Sequence, residues 1–259
     1  MFQFFCMEEI MLIDMHSHSD GDADFIKEQQ RTQVASILNA TTTAEYCFNE
    51  QYAGHQQLLS YGVHPWESKR QKIDEQLLSQ VAIIGEIGLD TEWTDVPLSV
   101  QRPVFLQQLH VANDSQRPVI LHTKGCEPEI LHIINELPDL TVLIHWYSSA
   151  ELQSAYLARP NSYFSIGPDV LTDEVVQTFA QKVPLSQMFI ESDGLESFRW
   201  VLKREVATSE YAGLLKQVYQ KVADIRSISL SQLVAQLECN WQRLLASFLA
   251  TAKRRTRMS

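Results

Sequence analysis

The sequence lacks the features that mark several protein classes. Its four cysteines, at positions 6, 47, 126 and 239, are far apart and form no CxxC pair, so neither a zinc ribbon nor a disulfide framework is expected. No apolar run is long enough to cross a membrane. The first ten residues are apolar without a basic segment, so we interpret residues 1–10 as an extension and not a signal peptide. These absences favour a cytoplasmic protein with no membrane partner.

Positive charge is also scarce. The chain has 21 lysines and arginines against 32 aspartates and glutamates, which gives a formal net charge of −11. This balance excludes a protein that coats nucleic acid without specificity, because such binding needs a basic face. It does not exclude a nuclease, since a bound cation can offset the repulsion of a phosphate. The one basic cluster, residues 252–259, is interpreted as a solvated tail.

Short apolar runs alternate with helical patterns along the 259 residues. Strands that alternate with helices indicate an α/β fold with a parallel sheet, and eight such units predict a (β/α)8 TIM barrel or a distorted relative of one. No Gly-, Ser- or Pro-rich linker divides the chain, so we expect a single domain, residues 1–259, with extra C-terminal helices at 205–222 and 231–250. The predicted strands are 11–15, 34–38, 58–63, 81–87, 118–122, 141–145, 163–166 and 187–191, and other predicted helices are 100–113, 127–136, 149–158 and 172–181.

Histidines and acidic residues occur where most of the predicted strands end. The first strand leads into "HSHSDGDAD", and side chains two residues apart share one face of an extended strand. In a TIM barrel all strands end at one mouth, where active sites lie. Packing alone does not explain polar residues at the ends of six strands. The residues concerned are His16, His18, His64, Glu86, Asp90, His122, His145 and Asp193.

These residue types suit a metal centre. Glu86 lies in the apolar run "IIGEIGL", where a carboxylate is costly to bury unless it is paired, protonated or metal-bound. The set offers more donors than one tetrahedral ion needs, so we predict two divalent ions bridged by a carboxylate. Mg, Mn and Zn are the candidates, although magnesium prefers more oxygen ligands. Such a pair activates water for hydrolysis, most naturally of a phosphate ester.

The remaining histidines and the acidic loop are assigned no ligand role. His55, His110 and His132 follow no predicted strand and are expected at the surface or in packing. The aspartates at positions 20, 22 and 24 run out on the loop after the first strand. We interpret them as solvated or helix-capping groups.

The motifs, taken in order, resemble those of the TatD family of metal-dependent hydrolases, which are deoxyribonucleases among the amidohydrolase-like TIM barrels. The resemblance covers nearly the whole chain. Each motif alone is weak, but their order and spacing together are specific. The matching segments are "DMHSH" (14–18), "GVHPW" (62–66), "GEIGLD" (85–90), "QRPVFLQQLHVANDSQRPVILHT" (101–123), "IHWYSS" (144–149), "YFSIG" (163–167), "FIESD" (189–193) and the segment 222–245.

The resemblance implies a binuclear site that uses six of the strand-end residues. Glu86 would bridge the two ions and so take part in catalysis. The other implied ligands are His16, His18 and Asp193 for one ion, with His122 and His145 for the other.

Further roles follow from the same resemblance. Asp193 would orient or deprotonate the attacking water, and His64 would contact the scissile phosphate. Lys124 would meet a phosphate of the substrate. Asp14 and Asp90 would fix the orientation of the ligands from outside the metal shell.

Two segments depart from the family's usual pattern. After the strand-six histidine the family usually reads Cys-Phe-Ser-Gly, but residues 146–149 are Trp-Tyr-Ser-Ser. After the last metal aspartate it usually has a small residue, then Pro and an aromatic or leucine, whereas residues 194–200 are "GLESFRW". The aromatic residues predicted on mouth loops either stack on bases of single-stranded DNA or cap the barrel. They are Trp66 and Trp146, which we assign to substrate binding, and Trp93, Tyr147 and Trp200.

The predicted function is divalent-metal-dependent hydrolysis of phosphodiester bonds, as in a 3′-to-5′ exonuclease on single-stranded DNA. One alternative is a phosphoesterase of the PHP family, which shares the HxH start but normally ends in an Asp-x-His pair that is absent after Asp193. A second is hydrolysis of a small amide or lactone, although no lysine that could be carbamylated stands at the position of Glu86. A third is a metal-binding scaffold without catalysis.

Overall fold

The computed structural model describes residues 11–255, with side chains described for residues 11–246. The expected extension at 1–10 and the last four residues of the expected tail lie outside this range. The strands are β1 (Ile13–Ser17), β2 (Ala35–Ala40), β3 (Gln57–Tyr61), β4 (Ile83–Asp90), β5 (Val119–Lys124), β6 (Val142–Ile144), β7 (Ser162–Ile166) and β8 (Met188–Ile190). The α-helices are α1 (Ala23–Arg31), α2 (Thr43–Tyr52), α3 (Glu75–Gln80), α4 (Leu98–Ser115), α5 (Glu127–Asn135), α6 (Gln153–Ala158), α7 (Glu174–Lys182), α8 (Leu195–Leu202), α9 (Tyr211–Arg226) and α10 (Leu230–Arg255).

The eight strands form one parallel sheet in chain order, from β1 to β8. Ile37 of β2 lies opposite Leu58 of β3, for example. Strands β1 and β8 lie side by side, and the backbone N–H of Asp193, just beyond β8, donates to the carbonyl of His16 over 2.9 Å. The sheet therefore curls into a nearly closed barrel, and the predicted (β/α)8 architecture is confirmed.

The strands are apolar runs because both of their faces are covered. Every residue of β1, β2 and β4 is buried, as expected for parallel strands that have helices outside and a packed interior. Several helices begin at a residue whose side chain accepts hydrogen bonds from the first turn. Asp22 caps α1 in this way, so one of the loop aspartates is a helix cap as expected. Thr42, Asp74 and Asp173 do the same for α2, α3 and α7.

Helix α10 closes the amino-terminal end of the barrel. Trp241 and Leu244 of this helix pack in one cluster with Ile13, Ile83 and Ile120. These three isoleucines lie at or near the starts of their strands, so the helix fills the bottom of the barrel. The opposite mouth, where the strands end, is left for the polar residues.

Some element boundaries differ from the predicted ones. Helix α6 begins at Gln153 and not at 149, because the preceding Leu152 adopts a left-handed φ of 58°. Helix α10 extends to Arg255, so the first residues of the expected tail continue this helix. Trp200 lies in α8 and not on a loop. Among the described helices, none combines the length and apolar character needed to span a membrane.

Two strands are irregular where they carry site residues. The pairing of β1 with β2 shifts between residues 14 and 17, and that of β4 with β5 shifts between residues 84 and 87. Such irregularities re-aim side chains and are common beside active sites. His16 and Glu86 lie within these two segments.

Gly88 sets the spacing between β4 and β5. It pairs with His122, and a Cβ at position 88 would lie 2.0 Å from the carbonyl oxygen of His122. Because no side chain fits in that space, only glycine lets the two strands approach. The second glycine of "GEIGLD" therefore fixes where His122 stands.

We predict that Gly88→Ala pushes β5 outward, lowers the free energy of unfolding by about 1–3 kcal/mol and weakens metal binding through His122. Urea denaturation and metal analysis of the purified protein measure the two effects. Gly213→Ala is the control, because position 213 lies in α9 with nothing within 4 Å of the added Cβ. That variant should gain about 0.5–1 kcal/mol. If Gly88→Ala behaves like Gly213→Ala, the close approach does not matter.

Candidate metal centre

The carboxyl ends of β1, β3, β4, β5, β6 and β8 bring the predicted ligands together at the open mouth. Five of these residues are almost fully buried, whereas His18 and Asp193 are half-buried at the edge of the cluster. The three histidines that were assigned no role are exposed and lie elsewhere. The buried members are His16, His64, Glu86, His122 and His145.

Glu86 stands at the centre of the cluster. Its Oε2 lies 3.4 Å from Nε2 of His16 and 3.3 Å from Nε2 of His18. Its Oε1 lies 2.8 Å from Nδ1 of His122 and 2.6 Å from Nε2 of His145. The two oxygens of one carboxylate thus face two different sets of histidines.

The first set consists of His16, His18 and Asp193, whose donor atoms lie within 4.8 Å of one another. Oδ1 of Asp193 is 3.2 Å from Nε2 of His16 and 3.7 Å from Nε2 of His18. Asp193 has a left-handed φ of 57°, a conformation that aspartate adopts more readily than most residues. This turn directly after β8 brings the carboxylate to β1.

The second set consists of His122, His145 and His64. Nδ1 of His122 lies 3.3 Å from Nε2 of His145, and Nε2 of His64 lies 3.4 Å from Oε1 of Glu86. His64, Glu86 and His122 offer donor atoms within 4.8 Å of one another. His64 was expected to contact the phosphate, and its ring lies at the edge of the candidate ligand shell.

The donor atoms fit bound divalent ions. Nε2 of His16 and Nε2 of His18 are 3.1 Å apart. At this distance only one of the two nitrogens can carry a hydrogen that points toward the other. Ligand atoms around a tetrahedral ion with bonds of 2.0–2.1 Å are about 3.4 Å apart, close to the spacings within both sets. Imidazole together with carboxylate suits zinc or manganese better than magnesium.

Charge in the cluster is arranged around Glu86. Burial alone would raise the pKa of Glu86, but the surrounding histidines, His145 first, hold it well below its usual value. Burial would lower the pKa of His145, yet Glu86 and Glu191 outweigh it and raise the pKa to about 10. The pKa of His18 also lies well above its usual value, because Glu45 and Glu86 outweigh its burial. A divalent cation would displace these protons and take over their positive charge.

Asp90 orients His122 from outside the cluster. Its Oδ2 lies 2.8 Å from Nε2 of His122 and accepts the indole N–H of Trp66 over 2.6 Å. Burial would raise the pKa of Asp90, but these two hydrogen bonds hold it well below its usual value. A carboxylate behind a histidine ligand fixes the ring and raises its basicity, which is the position expected for Asp90.

Two further carboxylates lie behind histidines and were not assigned from the sequence. Oε1 of Glu191 is 3.6 Å from Nδ1 of His145, and within the described residues no hydrogen-bond donor reaches either oxygen of Glu191. Oε1 of Glu45 is 3.8 Å from Nδ1 of His18. Glu191 follows the apolar run "MFI", the same signal that marks Glu86, so it was open to prediction. Glu45 lies in α2, where no such signal exists.

Asp14 acts on the segment that carries Asp193. It accepts the N–H of Ser192 over 2.8 Å, the hydroxyl of Ser192 over 2.5 Å and the hydroxyl of Tyr211 over 2.6 Å. Burial raises its pKa to about 6 despite these donors. Asp14 was expected to orient the metal ligands; its hydrogen bonds fix Ser192, the residue next to Asp193, and the orienting role stays a prediction.

The loop after β6 is held by Lys124. Its ammonium donates to the carbonyl of Trp146 over 2.9 Å and to the hydroxyl of Ser148 over 2.8 Å. Tyr147, in contrast, is buried and packs against Phe179. Of the two alternatives for Tyr147, stacking on a base or capping the barrel, the structure favours the second, because the loop turns this ring into the hydrophobic layer under the helices.

Two cavities meet at the cluster. One, of about 760 Å³, lies above His18, His64 and Glu86 and reaches α2. The other, of about 370 Å³, runs from His122, His145 and Asp193 past Trp66 and Trp146. A substrate can therefore reach both sets of donors from solvent.

The barrel and its histidine–carboxylate cluster define a metal-binding (β/α)8 protein. The family model for TatD related DNases matches residues 13–246. The chain therefore belongs to the TatD family, and the prediction of a metal-dependent hydrolase of this family is confirmed.

Curated relatives and a solved structure are consistent with this membership. Human deoxyribonuclease TATDN3 is 24% identical over 212 residues, 70% of this chain and 77% of its own. The metal-dependent hydrolase YcfH of Escherichia coli K12 is 25% identical over 206 residues, 71% of this chain and 77% of its own. The crystal structure of the TatD homolog YjjV from E. coli K12 superposes with a TM-score of 0.76 at 19% identity, covering 91% of this chain and 98% of that one, and so shows the same fold.

We predict that Glu191→Gln weakens metal binding about 10- to 100-fold, because the neutral amide no longer supports the His145 ring. The apo protein should also lose stability, since the charged ring of His145, whose pKa Glu191 helps to raise, loses part of its compensating negative charge. Titration with a competing chelator and urea denaturation measure the two quantities. Glu174→Gln, on the exposed first turn of α7, is the control. Unchanged metal affinity in Glu191→Gln would show that Glu191 does not support the centre.

Proposed function

We propose that this protein is a divalent-metal-dependent phosphodiesterase, and specifically a TatD-type deoxyribonuclease that shortens single-stranded DNA in the 3′-to-5′ direction. The observation that carries the proposal is the position of Glu86, whose two oxygens face separate sets of histidines. The names of the relatives, a deoxyribonuclease and a metal-dependent hydrolase, support this chemistry. We also propose that residues 1–259 form a single catalytic domain.

Two ions would be shared between the two sets of donors. When bound, divalent ions would lower the pKa of water and offset the negative charge on the phosphate oxygens, which would open the anionic diester to attack by water at neutral pH. Glu86 would lie between the ions. The other proposed ligands are His16, His18 and Asp193 on one side, with His122 and His145 on the other.

Asp193 is placed to handle the attacking water. Its side chain is 26% exposed, against 2% for Glu86, so it is the more accessible of the two carboxylates to water in the cavity. Burial would raise its pKa, but the hydrogen bond with His16 and the nearby histidines lower it. The group is therefore charged at neutral pH, accepts a hydrogen bond from the water, orients it and receives its proton.

His64 is suited to donate a hydrogen bond to the scissile phosphate. Burial lowers its pKa to about 4, so the ring is neutral at neutral pH. The backbone N–H of Trp66 donates to Nδ1 over 3.3 Å, which leaves the ring hydrogen on Nε2, the atom that faces Glu86. Lys124 would add positive charge near the second set of donors, and Trp66 with Trp146 would line the path of the adjoining nucleotides.

The alternatives differ in what they predict at this centre. The match to the TatD family model over residues 13–246 argues against a PHP phosphoesterase. A scaffold without catalysis would not need six ligand side chains that converge, yet all six converge here. Hydrolysis of an amide or lactone uses the same donors and is separated from the proposal by the substrate assay below.

We expect the purified protein to hydrolyse end-labelled single-stranded DNA faster than double-stranded DNA when Mg²⁺, Mn²⁺ or Zn²⁺ is present. Prolonged dialysis against chelator should abolish hydrolysis, and added metal should restore it, because the water needs the ions. Product ladders from 5′- and 3′-labelled strands give the direction of degradation. Activity that survives complete metal removal contradicts the mechanism, and a metal-loaded protein active only on amides or lactones contradicts the substrate class.

Glu86→Ala should lose one of the two ions and lower turnover on the order of a hundredfold or more, because the shared carboxylate is gone. Metal stoichiometry by elemental analysis is measured alongside the rate. His55→Ala is the matched control, since His55 is exposed and lies outside the cluster. Two ions per chain in Glu86→Ala would show that Glu86 does not bridge.

A further inference from the structure

Four of the chain's five tryptophans line the smaller of the two cavities at the metal centre. We call this cavity the tryptophan groove. Its rings are those of Trp66, Trp93, Trp146 and Trp200, and it reaches the metal-ligand residues His122, His145 and Asp193.

Two of the rings leave most of their surface in water. Trp93 is 55% exposed and Trp200 is 57% exposed. Their ring centroids are 5.9 Å apart in an edge-to-face contact, and Trp200 makes a similar contact with Trp146 at 6.2 Å. A contiguous exposed apolar surface of this kind marks a binding site. Capping of the barrel does not account for it, because buried rings such as Tyr147 do that.

The wall of the groove is rigid on the side of Trp146. Its indole N–H donates to Asp169, and its ring lies so close to Gly167 that a Cβ there would be 2.9 Å from Cδ2. The ammonium of Lys124 donates a hydrogen bond to the backbone carbonyl of Trp146. Trp66 is fixed in the same way by Asp90. A preformed aromatic wall binds a flat ring without a large entropic cost.

The groove is assembled from two segments that are far apart in sequence. Trp146 lies on the loop after β6 and Trp200 in α8, which follows β8. The two residues are about fifty positions apart, yet their rings are in contact. The two segments therefore build one continuous aromatic surface.

The charges along the groove limit what it can hold. Its described lining contains five carboxylates, and Lys124 is the only lysine or arginine among those residues. Glu92, Asp173 and Glu196 are exposed there, so a further phosphate in the groove would be repelled. The groove thus suits an uncharged flat ring that is linked to a phosphate at its metal end.

We propose that the tryptophan groove binds the base of the terminal nucleoside of a single strand, with Trp93 and Trp200 as the stacking surfaces. The base lies on the indole faces, and the phosphate that joins this nucleoside to the rest of the strand lies at the metal ligands. The end nucleoside carries no phosphate of its own, because the carboxylates exclude one. This assignment rests on the proposed phosphodiesterase function of the same centre.

The test compares strands that differ only at their ends. Single-stranded oligonucleotides carry adenosine, an abasic tetrahydrofuran residue or a phosphorylated adenosine at each end in turn. Binding to the metal-loaded full chain is measured by fluorescence anisotropy on strands whose terminal linkages are non-hydrolysable methylenephosphonates, and kcat/KM is measured on the cleavable strands. Base stacking on an aromatic side chain is worth about tenfold to a hundredfold in affinity, so the native protein should prefer the adenosine end over the abasic end by such a factor. A terminal phosphate should also weaken binding.

Two matched variants separate stacking from packing. Trp93→Leu/Trp200→Leu keeps apolar volume but loses the flat rings, whereas Trp93→Phe/Trp200→Phe keeps them. The Leu variant should bind adenosine and abasic ends equally, and the Phe variant should retain most of the preference. The unfolding midpoint of each variant shows that the fold is intact.

The outcomes separate this proposal from the function on which it rests. If the native protein cleaves adenosine-ended and abasic strands equally, the result supports phosphodiesterase activity and contradicts binding of the terminal base in the groove. A protein that prefers the adenosine end in a tryptophan-dependent way but cleaves nothing supports the groove and overturns the phosphodiesterase. If the Leu variant prefers the adenosine end over the abasic end as strongly as the native protein does, the groove does not bind the base. If the phosphorylated end binds more tightly, the terminal nucleoside does not lie in the groove as proposed.

Discussion

One buried carboxylate, that of Glu86, is the constraint on which the site of this protein depends. A charge at 2% exposure is costly unless it is compensated, and here five histidines in two sets provide the compensation. The geometry that makes this possible is local. The pairing of β4 with β5 shifts beside Glu86, and Gly88 lets β5 approach closely enough to bring His122 to Oε1. The histidines, the close approach of β5 to β4 and the shift in strand pairing therefore all contribute to compensating the charge of Glu86.

A second layer of carboxylates surrounds the histidines and balances their charge, as the histidines balance the charge of Glu86. Asp90, Glu45 and Glu191 each lie behind one histidine of the cluster. Negative charge thus alternates with imidazole from the centre outwards. A chain with a net charge of −11 would repel a polyanion. Under the proposed function, cations bound by these carboxylates and histidines would offset that repulsion in the mouth.

Much of the fold is predictable because of how a parallel barrel buries its strands. All eight predicted strands overlap the observed ones, since strands covered on both faces read as continuous apolar runs. The start of α6 is not predictable, because it depends on the single left-handed residue Leu152. The ligands are predictable because they end strands, and Glu191 carries the same signal. Glu45 and the meeting of Trp146 with Trp200 are not, because helix docking and barrel closure bring these side chains together.

The two halves of the metal centre differ in how far apart their residues lie along the chain. Glu86, His122 and His145 come from three consecutive strands, β4 to β6. The first half joins His16 to Asp193, and this contact forms only when β8 lies beside β1. Distant contacts form late because their loop-closure cost is paid first. During synthesis the second half is therefore complete in sequence before the first, and α10, which fills the base of the barrel, is made last of all. The donors of the second half therefore leave the ribosome before Asp193, which completes the first half.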